Sequence, residues 1–220
     1  MKIQIAPSLL SADFLELGRD VAMLNENADI IHLDIMDGTF VPNISFGFSV
    51  VEAVAKAARI PTDAHFMVTN PEKWVERCAA CGVNMMSFHL EAAGRRTRAI
   101  LRDIRSRGMK AGLAINPDVP VEKLFPYIGD ADYFLIMSVF AGFGGQKFIY
   151  ESLDRVWELR QKLSRKGDGA LIEVDGGVNG GNAAALAEAG ADILVAGSSV
   201  FRSEDPAKTI SALRNCRLPR

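Results

Sequence analysis

Short runs of β-branched and apolar residues alternate along the chain with longer stretches in which apolar positions recur at helical spacing. The runs at 3–6, 30–34, 62–67, 85–89, 110–115, 133–138, 171–175 and 193–196 are predicted strands. Several are apolar almost without interruption, the pattern of a strand covered on both faces. Between them the spacing predicts a helix over 14–25, with Ser11 as its cap, and another over 71–80. In the second, Asn70 precedes a first-turn Pro71 and Gly82 ends the element. Helices over 95–107, 151–166 and 182–189 stop at Gly108, Gly167 and Gly190, and Pro206 opens the last one.

Strand and helix alternate from start to end with no linker, charge block or low-complexity segment. Eight βα units in 220 residues predict one domain, 1–220, folded as a (β/α)8 TIM barrel of the phosphate-binding type. An open doubly wound sheet is the alternative, because alternation alone does not show closure.

Composition narrows the function classes. With 49% hydrophobic and 24% charged residues, the chain reads as an ordinary globular protein. A net charge of -2 argues against a broad nucleic-acid or anionic-membrane surface, while leaving room for a local anion site. The first seven residues hold one Lys and no apolar core of a leader, and no run approaches membrane-spanning length, so a cytoplasmic protein is expected. Cys78, Cys81 and Cys216 are an odd set, and Cys78-x-x-Cys81 has no second pair to complete a zinc motif. Both are read as small apolar residues of the 71–80 helix region.

In a barrel, chemistry collects at the C-terminal ends of the strands. All three histidines, His32, His65 and His89, are predicted there, with Asp34 and Asp175. Residues two apart share a strand face, so His32 and Asp34 both point inward, where an unpaired carboxylate is costly. His65 and Asp175 offer matching partners. Two His and two Asp suit one divalent zinc, iron, manganese or cobalt ion, and their two charges neutralise it. Glycine clusters follow the sixth, seventh and eighth strands: Gly142-Phe143-Gly144-Gly145, Gly176-Gly177 and Gly197-Ser198. Glycine lets backbone N–H groups approach an oxyanion, so the three loops predict a phosphate site, the sixth as a mobile lid. Met36, Met67 and Met137 fall near the same ends and would form an apolar wall.

At these residues the chain resembles the ribulose-phosphate 3-epimerase family. The likeness is carried by Ile5-Ala6-Pro7-Ser8-Leu9-Leu10-Ser11-Ala12-Asp13-Phe14, His32-Leu33-Asp34-Ile35-Met36-Asp37-Gly38, Phe40-Val41-Pro42-Asn43 and Ala64-His65-Phe66-Met67. It continues through Gly142-Phe143-Gly144-Gly145-Gln146, Glu173-Val174-Asp175-Gly176-Gly177-Val178 and Ala196-Gly197-Ser198-Ser199-Val200-Phe201. The resemblance implies that His32, Asp34, His65 and Asp175 hold the metal and that Asp34 and Asp175 are the acid/base pair. It implies that Ser8 and His65 contact the sugar, that Met36, Met67 and Met137 line the reaction centre, and that the glycine loops hold the phosphate. It further implies a homo-oligomer. Under this reading D-ribulose 5-phosphate and D-xylulose 5-phosphate interconvert through an enediolate, one Asp removing the C3 proton and the other supplying one to the opposite face.

One position departs from the family pattern. A proline usually precedes the Gly-Phe-Gly-Gly loop, and here the pair is Phe140-Ala141. Losing it removes a fixed φ, which predicts a looser lid, and Phe140 adds bulk at the mouth. A hexulose substrate, allulose 6-phosphate, therefore stands as the alternative. A non-catalytic sugar-phosphate binder would not need both aspartates and both histidines. A Schiff-base aldolase or a barrel decarboxylase would want a strand-end lysine, whereas Lys110 begins its strand and Lys147 lies in the lid loop.

Overall fold

A computed structural model describes residues 3–216 and contains one sheet of eight parallel strands. These are β1 (Gln4–Pro7), β2 (Ile31–Met36), β3 (Thr62–Met67), β4 (Met85–His89), β5 (Lys110–Ile115), β6 (Tyr133–Met137), β7 (Leu171–Asp175) and β8 (Ile193–Ala196). Each pairs with its sequence neighbour, and β1 returns to β8. The remaining seam, between β1 and β2, is joined by a single bridge, Ser8 to His32, and by the Asp29 and Ile30 N–H groups on Ile5 O at 3.1 and 3.3 Å. Asp29 Oδ2 reinforces it, accepting from Ile5 N and from Arg214 Nε, each at 2.9 Å. Sequential order returning to β1 is a barrel and excludes the open doubly wound sheet.

The helices are α1 (Leu17–Asn27), α2 (Phe48–Ala57), α3 (Val75–Ala80), α4 (Leu90–Ala93), α5 (Thr97–Ser106), α6 (Ser152–Lys166), α7 (Ala183–Ala189), α8 (Ser198–Phe201) and α9 (Pro206–Arg214). Strand alternation sorts the core into two compartments. Outward-facing Ile5, Leu33, Phe66, Phe88, Leu113, Phe134, Val174 and Leu194 pack beneath the helix stripes. Ala6, Ile30, Met85, Tyr133, Ile193 and Val195 form a separate inner cluster. Each fully buried Leu or Phe contributes about 1.5–3 kcal/mol.

Five strands match their predicted limits, and the differences have local causes. The predicted first helix begins three residues late, at Leu17, and Ser11 does not cap it. Asp13 Oδ1 accepts from Leu15 N and Asp20 Oδ2 accepts from Asp13 N, which turns 13–16 into a loop. Ser11 instead ends a 3-10 turn, Leu9–Ser11, capped by Ser8. The 71–80 helix is split at Trp74 into a 3-10 turn, Pro71–Lys73, and α3. The fifth crossover is a 3-10 helix, Val121–Tyr127, holding Pro126, which lacks the N–H an α-helix needs. Cys78 and Cys81 are free and buried, and burial pushes the Cys78 thiol up, as fits apolar packing residues. Among the described residues no helix is long and apolar enough to cross a membrane.

Gly112 pairs with Tyr133 in register and makes room for its ring. A Cβ at 112 would lie 2.3 Å from the ring carbon Cζ. Since Tyr133 is fully buried, Gly112→Ala is expected to destabilise the barrel by about 3 kcal/mol or more, seen as a lower urea midpoint at unchanged m.

Candidate metal centre and active site

The inward faces of β2, β3 and β7 converge on one point. In register, Asp34 sits opposite His65 and Met36 opposite Met67. On the far side Asp175 sits opposite Met137 and Val195. Strand β2 runs two residues past Asp34, so His32 is not at the strand end as predicted but one level deeper, its ring reaching up to the aspartates. His32 Nε2 lies 3.5 Å from Asp34 Oδ1 and 4.0 Å from Asp175 Oδ2. His65 Nδ1 lies 3.5 Å from Asp34 Oδ1 and 3.7 Å from Asp175 Oδ2.

These residues fit a cation. Among the described residues His32 Nε2 and His65 Nδ1 are buried with no hydrogen-bond partner, and both face the carboxylates. The four ligand-type atoms lie within 4.8 Å of one another. Tetrahedral ligands about 2.0–2.2 Å from a zinc-like ion stand roughly 3.4 Å apart, close to the shorter separations here. Two neutral imidazoles and two carboxylates balance a divalent charge, and the cation takes the place of protons on the inward nitrogens.

The electrostatics of the chain show the same demand for positive charge. Burial opposes an imidazolium at His65, yet the Asp175 and Asp34 carboxylates outweigh it and raise its pKa to about 9. His32 is likewise raised well above the usual histidine value against burial, chiefly by Asp34. Asp34 is held below the usual carboxylate range because the charge of His32 outweighs its desolvation. Ser8 Oγ donates to Asp34 Oδ2, leaving Oδ1 for the centre.

A second polar layer lies beneath, unread in the sequence. Asp63 Oδ2 is 2.9 Å from His32 Nδ1, and Tyr133 donates to Asp63 Oδ1 at 2.5 Å. Glu173 is wholly buried, and burial together with the Asp63 charge pushes its carboxyl above the usual carboxylate range. His65 Nε2 lies 2.9 Å from His89 Nε2. Burial keeps His89 below the usual value, hence neutral, with Glu91 3.5 Å from its Nδ1. The sign available in the sequence was period 2: Asp63 and Glu173 lie two residues before His65 and Asp175, on the same inward faces.

Above the centre is a cavity whose wall includes Ser8, Asp34, Asp175 and all three methionines, Met36, Met67 and Met137. Its rim joins Gly142, Phe143, Gly144, Gly145, Gly176, Gly177, Gly197 and Ser198, so the three predicted loops do meet. Gly177 has φ +64°, and a Cβ there would stand 2.7 Å from Phe148 N. Ser11 sits between loops: a Cβ on Gly197 or Gly144 would come 2.7 or 3.5 Å from its Oγ. His32 and His65 are fully buried below this wall. Among the described residues no lysine lines the cavity, and Lys110 lies at the other end of its strand.

The loop after β6 is tied down. Gln146 Nε2 donates to Phe140 O and Phe143 O at 2.7 and 2.8 Å, and Asn43 Nδ2 donates to Gly142 O at 2.7 Å. Ala141 N donates to Asn116 Oδ1 at 3.0 Å, a bond a proline at this position could not make. That bond offsets the freedom expected from the missing ring.

Comparison with known proteins bears on the family and the fold. The family model described as "Ribulose-phosphate 3 epimerase family" matches residues 4–201. A ribulose-phosphate 3-epimerase from Bacillus subtilis (strain 168) is 43% identical over 217 residues, 98% of this chain and 100% of the relative. One from Synechocystis sp. is 43% identical over 219 residues, 99% of this chain and 95% of the relative. Among solved structures, a 3-hexulose-6-phosphate synthase superposes with a TM-score of 0.70 at 21% identity, covering 97% of this chain and 98% of that one. A mutant tryptophan synthase α-subunit from Pyrococcus furiosus does so with 0.70 at 16%, covering 97% and 96%. At such identities the structural likeness shows the fold alone.

Proposed function

The chain belongs to the ribulose-phosphate 3-epimerase family, and from that premise we propose that it is an isomerase that inverts C3 of D-ribulose 5-phosphate to give D-xylulose 5-phosphate. The observation that carries this reading is the pair Asp34 and Asp175 meeting two inward histidine nitrogens at the floor of a cavity rimmed by three glycine loops. We further propose that residues 1–220 act as one domain and that copies associate, as the resemblance implies.

Inverting a carbon beside a carbonyl needs a proton removed from one face and one supplied to the other. Asp34 and Asp175 enter the cavity from separate strands, β2 and β7, with β1 and β8 between them, so two carboxylates can serve two faces of one carbon and the substrate need not turn over. Asp34 is the base for one epimer and Asp175 the acid, and the roles reverse for the other. Ser8 holds Asp34 in orientation through its hydroxyl. The loops at Gly142–Gly145, Gly176–Gly177 and Gly197–Ser198 fix the phosphate end, placing C3 between the carboxylates. Met36, Met67 and Met137 wall the reacting carbon from water. His32, Asp34, His65 and Asp175 would hold one divalent cation, which when bound supplies electrostatic stabilisation of the negative charge building on the substrate oxygens.

The test is turnover in D2O. Ribulose 5-phosphate is expected to yield xylulose 5-phosphate carrying one deuterium at C3. Epimer formed without exchange at C3 removes the proton-transfer mechanism. Phe140, half exposed on the cavity wall, supports the second reading, a 3-epimerase of allulose 6-phosphate, and kcat/KM for the two substrates decides between them.

A further inference from the structure

We propose that Asp63, held by Tyr133, is a positioning residue that fixes which ring nitrogen of His32 faces the candidate metal centre. The inference rests on the reading of His32 as a ligand and extends it to a layer with no direct access to substrate.

His32 divides two environments. Its Nε2 faces Asp34 Oδ1 and Asp175 Oδ2, and its Nδ1 lies 2.9 Å from Asp63 Oδ2. A carboxylate oxygen only accepts, so that contact requires the proton on Nδ1. A neutral imidazole has one such proton, which leaves the lone pair on Nε2, the atom without a partner. Glu173 Oε1 lies 3.6 Å from the same Nδ1, beyond hydrogen-bond reach, so Asp63 is the acceptor. Asp63 is itself fixed, because its Oδ1 accepts from the Tyr133 hydroxyl at 2.5 Å. His32, Asp63 and Tyr133 are all wholly buried, so water does not compete for these bonds. Gly112 completes the arrangement by leaving space for the Tyr133 ring.

This makes an unusual prediction for Asp63→Asn. The Tyr133 proton keeps its acceptor when the amide oxygen replaces Oδ1, and the amide NH2 then turns toward His32. His32 must accept at Nδ1 and carry its proton on Nε2, where it blocks the ligand position. Zinc affinity, measured by competition with a chromophoric chelator, is expected to fall about 10- to 100-fold. Adding Tyr133→Phe frees the amide to rotate its oxygen toward His32, and the double variant is expected to regain most of that affinity. A merely structural role predicts the reverse, since the double variant loses more of the buried layer. A double variant no better than Asp63→Asn, or Asp63→Asn with wild-type affinity, overturns the proposal.

A second measurement needs no variant. The chain has three histidines, so long-range 1H–15N spectra of the zinc-loaded protein resolve each ring. The His32 proton is expected on Nδ1, and finding it on Nε2 overturns the proposal. Asp34→Asn separates the two readings. Zinc binding lost there but kept in Asp63→Asn sinks the positioning role alone. Zinc binding unchanged in Asp34→Asn sinks the metal centre, and the proposal with it.

Discussion

Asn in place of Asp175 is expected to lower kcat by about 10⁴-fold at saturating metal while the barrel stays folded. The side chain is partly exposed at the end of β7, so an isosteric amide disturbs little packing there. The amide neither takes nor gives a proton at C3, which removes one face of the inversion. Asp34 remains, so the variant is expected to wash deuterium into C3 of one epimer without producing the other. Steady-state kinetics and NMR of the recovered substrate read both effects, with circular dichroism as the folding check. Activity above about a tenth of wild type would take Asp175 out of the chemistry. Asp34→Asn is expected to be at least as damaging, since it also disturbs the Ser8 bond and the contacts to His32 and His65.

Exhaustive chelation is expected to abolish turnover, and a divalent transition metal to restore it. The same treatment is expected to lower thermal stability. A ligand at 100 times its Kd stabilises the native state by about 2.7 kcal/mol, and about 2–4 °C of Tm accompanies each kcal/mol in a chain of this size. A drop of roughly 5–10 °C, reversed on reloading, is the expected outcome in calorimetry. Full activity with metal well below one equivalent would remove the cation from the mechanism.

Much of this molecule was legible in the sequence because two periodicities dominate it. Strands buried on both faces read as apolar runs, and five were placed to the residue. Asp34, His65 and Asp175 were legible because charged residues interrupt those runs near their ends. What escaped had physical reasons. The start of α1 was missed because the side chains of Asp13 and Asp20 hold a loop where the apolar stripe alone suggested helix. Asp63 and Glu173 do not stand out in the sequence because a carboxylate inside a barrel makes sense only when its partners, from β2 and β6, are known. Ser11 looks like a cap in the sequence because its neighbours in space, Gly144 and Gly197, are remote in the chain. The tie between Ala141 and Asn116 was invisible for the same reason.

The seam between β1 and β2 joins folding to chemistry. Its single bridge, Ser8 to His32, uses two residues of the site itself. Ser8 also gives its hydroxyl to Asp34, so the join of the cylinder runs beside its reactive centre. The residue that helps shut the cylinder is therefore also the one that holds the aspartate, and a substitution at position 8 touches both.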